Sequence, residues 1–384
     1  MFSIEMMGKG TTIEQSLNSS PKVVILVGGE GTRLRPLTYC TPKPMVPVLS
    51  RPFLEHTIAY LKKFGIEDII LAMSYLPKTI QKYFRDGSDM GIKLAYTVEE
   101  SPLGTAGAVK NAEEYLDSTF IVLNGDIFTD ISIADMIALH RRKKAKATIS
   151  LTWVDNPCAF GTIETDSDGR VKQFIEKPSP DQVTTNWVNA GIYVIEPEVL
   201  NHIPAGSHYT FEKELFPLLL QLNEPVYGYP SRAYWLDMGT LEKYLRLNYD
   251  LLLSKAPSVL LGDLNENSIR CGDDVFIHPS AKIMGPEVIG SRCTINQKAC
   301  IKGPTVIGPD CFIGGGANIE ATILWRGVTI GTGASLKNCI VTSNVGVESN
   351  DQIANSTITP DKDRDTPIDG SRSPIILGNA PDET

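Results

Sequence analysis

Residues 22 to 36 read Lys-Val-Val-Ile-Leu-Val-Gly-Gly-Glu-Gly-Thr-Arg-Leu-Arg-Pro. The apolar, β-branched run that ends at Gly28 has the pattern of a strand buried on both faces of a parallel sheet. A loop leaving the carboxyl end of such a strand lies on the edge where open α/β sheets bind ligands. Gly28, Gly29 and Gly31 let backbone N–H groups turn toward an anion with no Cβ in the way. Arg33 adds a planar cation that suits phosphate oxygens, and Lys43, in the proline-stiffened Thr41-Pro42-Lys43-Pro44, brings a second charge to the same polyphosphate. This is not a Walker loop, because Thr32-Arg33 follows Gly31 where Lys-Ser/Thr is required. Nor is it a dinucleotide fingerprint, since Leu34 stands where the third glycine belongs.

Strand-like runs at 68–73, 93–98, 119–123 and 147–154 continue the pattern and alternate with amphipathic stretches at 53–64 and 106–116. Such alternation predicts a doubly wound α/β sheet from 22 to about 245, and the Leu- and Tyr-rich stretch 240–254 predicts a helix leading out of it. The period then changes. Isoleucines recur every six residues at 277, 283, 289, 295, 301, 307, 313 and 319, and most follow a small or β-branched residue two positions earlier, including Cys293 and Cys311. Hexapeptide repeats of this kind predict a parallel β-helix over 255–360. The phase slips between Ile319 and Ile330, which predicts a corner insertion near Trp325. Residues 1–21 and 361–384 are polar and read as terminal tails.

The chain of 384 residues exceeds one ordinary core, so two domains are expected. A net charge of −9 argues against nucleic acid as a partner while allowing one local basic pocket. No apolar run spans a bilayer and no leader pattern opens the sequence, so the expectation is a cytoplasmic protein without membrane association. The seven cysteines include no Cys-x-x-Cys pair and read as reduced and structural. The five isolated histidines argue against a zinc site, and His278, alone in the repeats, reads as a surface residue rather than an acyltransferase base.

The glycine loop with Pro42-Lys43-Pro44 resembles the signature of the sugar-1-phosphate nucleotidyltransferases, the NDP-sugar pyrophosphorylases. Further matches follow in the family's order: Pro102 to Gly107, Asn124-Gly125-Asp126, Phe174 to Pro178, Asn189 to Tyr193 and Trp235 to Gly239. The wording Leu103-Gly104-Thr105-Ala106-Gly107 and the segment Phe211 to Pro217 look most like the mannose-1-phosphate guanylyltransferases. The resemblance implies a Rossmann-like domain with a mostly parallel sheet, followed by a left-handed β-helix through which copies assemble as a homo-oligomer. It also implies GTP and a sugar 1-phosphate as substrates and Mg²⁺ as cofactor. Arg33, Lys43, Asp126, Lys177 and Asp237 match the catalytic positions, with Asp126 and Asp237 as Mg²⁺ ligands of the hard oxygen type that ion prefers. Leu26, Gly28, Gly29, Gly31, Thr32, Glu99, Gly104 and Thr105 match the nucleotide site, and Gly161, Glu176, Asn189 and Gly191 the sugar pocket. Asp130 and Asp135 fit helix-start positions instead.

Glu99 stands where family members that bind uracil or thymine commonly carry Gln. A carboxylate only accepts, and guanine offers adjacent donors at N1 and N2, so Glu99 points to GTP. Gly125, where guanylyltransferases often have Ser, keeps open another hexose or heptose 1-phosphate with dTTP, UTP or ATP. A non-catalytic subunit that senses nucleotide sugar is the rival of a different class, against which the full phosphate and metal set counts.

Overall fold

The computed structural model describes residues 20–360 apart from 261, 263, 264, 266 and 267, together with the strand Ile375–Gly378. Most of the two segments read as tails therefore lies outside the described residues. Within the second of them, the apolar run Ile375–Gly378 departs from the expectation of a polar tail and pairs antiparallel with Ser356–Thr359.

The strand Val23–Leu26 forms at the centre of a nine-stranded sheet, parallel to Asp68–Met73 on one side and Phe120–Asn124 on the other, with Lys93–Val98 beyond. Val23, Val24 and Ile25 are fully buried, which is what a β-branched run covered on both faces requires. The sheet is more mixed than the alternation implied. Trp187–Ile195 lies antiparallel to Phe120–Asn124, and Ala147–Trp153 and Gly161–Thr165 pair antiparallel with it in turn. The helix Phe53–Lys63 covers one face with Leu54, Ile58 and Leu61 buried. The helix expected over 106–116 is divided into Gly104–Lys110 and a 3-10 turn, Glu113–Tyr115. Asp135 lies in the first turn of Ile133–Lys143, capped by Ser132, whereas Asp130 precedes that helix.

Leu241–Leu252 is the expected exit helix. Beyond it, three parallel sheets of short strands stack as a left-handed β-helix. Ile277 lies over Ile295 and Ile313, and Ile283 over Ile301 and Ile319, so each repeat isoleucine meets its counterpart one coil on. Cys293, Cys311 and Cys339 are buried in this core, and all seven cysteines are free thiols. The phase slip is not an insertion. Ile295 pairs with Ile313, eighteen residues on, but Ile313 pairs with Ile330, seventeen on. The two-residue corner Gly303-Pro304 is replaced in the next coils by single residues with positive φ: Ala321 at 46°, Asn338 at 52° and Asn355 at 51°. The coils shorten by one residue at that corner.

The two parts share an apolar core in which Leu245, Leu247 and Leu251 of the exit helix meet Val288, Val306, Ile323, Trp325 and Ile340. Through this core, Trp325 Nε1 donates to Tyr244 Oη at 2.9 Å and Tyr244 Oη donates to Pro47 O at 2.7 Å. Among the described residues no helix is long and apolar enough to cross a membrane.

Tyr244→Phe would strand the Trp325 indole N–H and the Pro47 carbonyl, at about 1–3 kcal/mol for each buried group. The expected result is a lower urea midpoint; an unchanged midpoint would deny the linkage any energetic weight. Glu287 is fully buried, neither carboxylate oxygen has a partner among the described residues, and burial pushes its pKa up to about 7 from 4.5. With the folded pKa raised, the stabilising protonated form is fully present below pH 4.5, and its contribution is lost as pH rises through about 7. Glu287→Gln should flatten the decline of the thermal midpoint across that window.

Candidate active site

Two cavities adjoin at the carboxyl ends of the parallel strands and share Arg33, Asn124 and Asp126. The larger, about 490 Å³, is lined by Leu26, Gly28, Gly29, Gly31, Thr32, Lys43, Glu99, Gly104 and Thr105. Every residue read from the sequence as nucleotide-binding thus faces one space. The smaller, about 250 Å³, is lined by Gly161, Glu176, Lys177, Asn189, Gly191 and Asp237, which unites the residues read from the sequence as sugar-binding with the two later ones read as catalytic.

The glycine loop is held by a short anchor. Gly31 takes a left-handed φ of 63° and its carbonyl accepts from Thr38 Oγ1 at 2.8 Å and from Leu34 N at 2.9 Å. Leu34 is fully buried, so the 3-10 turn Thr32–Leu34 leaves Thr32 and Arg33 at the cavity wall. Pro42 starts a second such turn, Lys43–Met45, in which Lys43 is buried with its Nζ 2.6 Å from Asp126 Oδ2.

Asp126 and Asp237 are joined by backbone pairing. Ile127–Thr129 and Trp235–Asp237 form a two-stranded antiparallel ribbon in which Asp237 opposes Ile127, and Met238 N donates to Asp126 O at 2.9 Å. Asp237 accepts from Lys243 Nζ at 3.2 Å through Oδ2, while its Oδ1 is buried with no partner among the described residues. An orphaned carboxylate oxygen beside a second acidic side chain fits a hard divalent cation, which takes one or two carboxylates and completes its shell from phosphates and water. Among the described residues no cluster of three or more His, Cys, Asp and Glu side chains offers a fully protein-made metal cage.

On the sugar side, the register of Trp187–Ile195 breaks between Asn189 and Tyr193, and Gly191 sits in the irregularity at φ 77°. Asn189 Oδ1 accepts from Gly191 N at 2.9 Å, and its Nδ2 donates to Tyr193 Oη at 2.8 Å. Lys177, directly after the strand Val171–Glu176, is itself left-handed at φ 49°, a strained conformation for a residue with a side chain. Gly161 lies under Glu176: a Cβ there would meet Glu176 Oε2 at 2.7 Å. Burial, and then the nearby Glu212 charge, raises the pKa of Glu176.

At the far end of the larger cavity, burial raises the pKa of Glu99, opposed by the Leu103 N–H donated to its Oε2 at 2.9 Å and by His208. Sequence reasoning missed three titratable lining residues. His208 lies in a loop whose neighbour Tyr209 accepts from Ala106 N and Gly107 N through its carbonyl. Glu212, on a π turn at Phe211–Leu215, accepts from Thr105 Oγ1 at 2.9 Å and from Tyr193 Oη at 3.3 Å, which ties one cavity to the other. Lys243 is the third, six residues past Asp237 on the first turn of the exit helix.

Residues 22–254 match the family described as nucleotidyl transferase, and residues 283–363 match the GMPPB C-terminal domain. The chain is 38% identical over 317 residues to the mannose-1-phosphate guanylyltransferase of Mycobacterium tuberculosis, covering 82% of each chain. It is 33% identical over 312 residues to a UTP–glucose-1-phosphate uridylyltransferase of Synechocystis, covering 72% of this chain and 80% of that one. Among solved structures it is similar to HddC from Yersinia pseudotuberculosis complexed with GMP-PN, at 31% identity and TM-score 0.52, covering 60% of this chain and 98% of that chain.

A Cβ at position 191 would be strained by its φ of 77° and would meet Asn124 Nδ2 at 2.8 Å. Gly191→Ala should therefore cost at least about 1–2 kcal/mol, read as a lowered thermal midpoint. A midpoint equal to that of the parent would show that the irregular strand relaxes freely.

Proposed function

The chain belongs to the nucleotidyl transferase family, and on that premise we propose that it makes GDP-mannose and pyrophosphate from GTP and mannose 1-phosphate. The observation that carries the reading is the junction of two cavities at Arg33 and Asp126, one lined by the residues read as nucleotide-binding and one by those read as sugar-binding. Such a layout supports a reading in which two phosphorylated substrates lie end to end. The guanylyl donor and the mannosyl acceptor follow from relatives named mannose-1-phosphate guanylyltransferase, and Glu99 at the far end of the larger cavity agrees as an acceptor for guanine N–H groups.

A phosphate monoester has a second pKa of about 6, so the acceptor is largely a dianion at neutral pH and needs no general base. One of its oxygens attacks the α-phosphorus of GTP. The bond from that phosphorus to the bridging oxygen of the β-phosphate breaks, and pyrophosphate leaves with the electron pair. The task of the protein is positioning and charge neutralisation. In this reading Arg33, Lys43 and the backbone of Gly28 to Thr32 hold the triphosphate, and Gly104 and Thr105 flank the nucleoside. Lys177 holds the sugar phosphate, and Glu176, Asn189 and the space at Gly161 and Gly191 receive the hexose. Asp126 and Asp237 would hold Mg²⁺, which when bound neutralises phosphate charge. We assign catalysis to residues 22–254 and assembly into a homo-oligomer to the β-helix at 255–360, in a cytoplasmic enzyme.

The test is pyrophosphate release with Mg²⁺, crossing GTP, ATP, UTP and dTTP against mannose, glucose and heptose 1-phosphates. Turnover confined to GTP with mannose 1-phosphate is expected; another productive pair would replace the substrates, and silence throughout would favour a sensing subunit. Asp126→Asn and Asp237→Asn should each lower turnover by about two orders of magnitude or more with the fold intact by circular dichroism. Near-normal rates in both would remove the metal assignment. Light scattering should give more than one copy per particle.

A further inference from the structure

We infer that Lys243 is a further substrate-positioning residue, which holds Asp237 and exchanges onto the sugar phosphate, so that the divalent cation and the sugar 1-phosphate assist each other's binding. The inference deepens the reading given above and rests on it.

Lys243 Nζ lies 3.2 Å from Asp237 Oδ2, the one carboxylate oxygen of that residue with a partner among the described residues. A divalent cation on the unpartnered Oδ1 of Asp237 would share one carboxylate with this ammonium, and the two cations would repel each other strongly at that separation. Released, the ammonium stays within the smaller cavity, whose wall it shares with Lys177 and Glu176. A sugar phosphate dianion there supplies the opposite charge. The lysine has the means to move: its side chain is 33% exposed against 13% for Asp237, and it is a flexible stem carrying three donors. Its Nζ also lies 5.5 Å from the centre of the Phe160 ring on the same wall, a cation–π surface that tolerates displacement. Lys43 on Asp126 is placed differently, with its side chain only 11% exposed in a proline-flanked turn.

The consequence is a thermodynamic linkage. A phosphate that draws Lys243 away frees Asp237 for metal, and metal on Asp237 frees Lys243 for phosphate. The two effects must be equal in size. Arg33 contributes fixed charge to both cavities but is not paired with Asp237 by any hydrogen bond in the structure, which leaves the exchange to Lys243.

The experiment compares the full-length parent chain with Lys243→Met and Lys243→Arg. Calorimetric titration with Mn²⁺, with and without mannose 1-phosphate, is paired with steady-state kinetics. For the parent, mannose 1-phosphate should tighten Mn²⁺ binding about fivefold or more. In Lys243→Met, Mn²⁺ should bind about threefold or more tightly without the sugar phosphate, and the coupling should disappear. The KM for mannose 1-phosphate should rise about tenfold while that for GTP stays within about twofold. Lys243→Arg, which keeps the charge, should retain the coupling. Parent-like Mn²⁺ affinity and coupling in Lys243→Met, or equal rises in both KM values, would overturn the inference. Failure of the substrate reading looks different: the parent releases no pyrophosphate from GTP with mannose 1-phosphate, whereas the Mn²⁺ titration without substrate still reports the exchange at Asp237.

Discussion

The antiparallel ribbon between Ile127–Thr129 and Trp235–Asp237 is the constraint on which the site depends. Bringing two carboxylates together is unfavourable unless cations stand between them, and here Lys43 and Lys243 each neutralise one. Backbone hydrogen bonds, rather than the side chains, fix the spacing, because Met238 N bonds directly to Asp126 O. The side chains are then available for ligands. The same ribbon sets Arg33 near the Asp237 carboxylate: a Cβ on Gly239 would lie 3.0 Å from Asp237 Oδ1 and 3.3 Å from Arg33 Nη2.

The exit helix extends this constraint into the solenoid. It is capped by Thr240, three residues beyond Asp237, and carries Lys243 toward the site and Tyr244 away from it. Tyr244 then joins Pro47, four residues beyond Lys43, to Trp325 of the β-helix. Asn248 adds a second tie by accepting from Leu49 N at 2.9 Å. The segment that carries the buried Lys43 is therefore clamped against the helix and, through it, against the coils. Its stiffness comes from packing between the two parts as well as from its prolines.

Much of this was readable from residue order because two of its signals are periodic or local. A β-branched run ending in glycines reports strand and loop within fifteen residues, and a six-residue isoleucine period repeats often enough to be unmistakable. The residues of the matched motifs come together around two adjoining cavities. What escaped depended on long-range geometry. Lys243 occupies an ordinary helical position with no motif of its own, and Glu212 matters only because a π turn aims it at Thr105 and Tyr193. The shortened corner was misread as an insertion because a gap of eleven between isoleucines is one less than two repeats, and only strand register shows which side lost the residue.

That lost residue bears on how such a solenoid can change length. The corner residues Ala321 and Asn338, which replace the Gly-Pro pair, are the ones that meet the exit helix, where Tyr249 Oη donates to Ala321 O and to Asn338 Oδ1. Coils on either side of this seam differ in circumference, so they are not interchangeable modules. Duplicating or deleting a coil on the docked stretch would bring the wrong corner to Tyr249 and slide Trp325 away from Tyr244. Growth or loss of repeats is compatible with this architecture only beyond the coils that grip the helix.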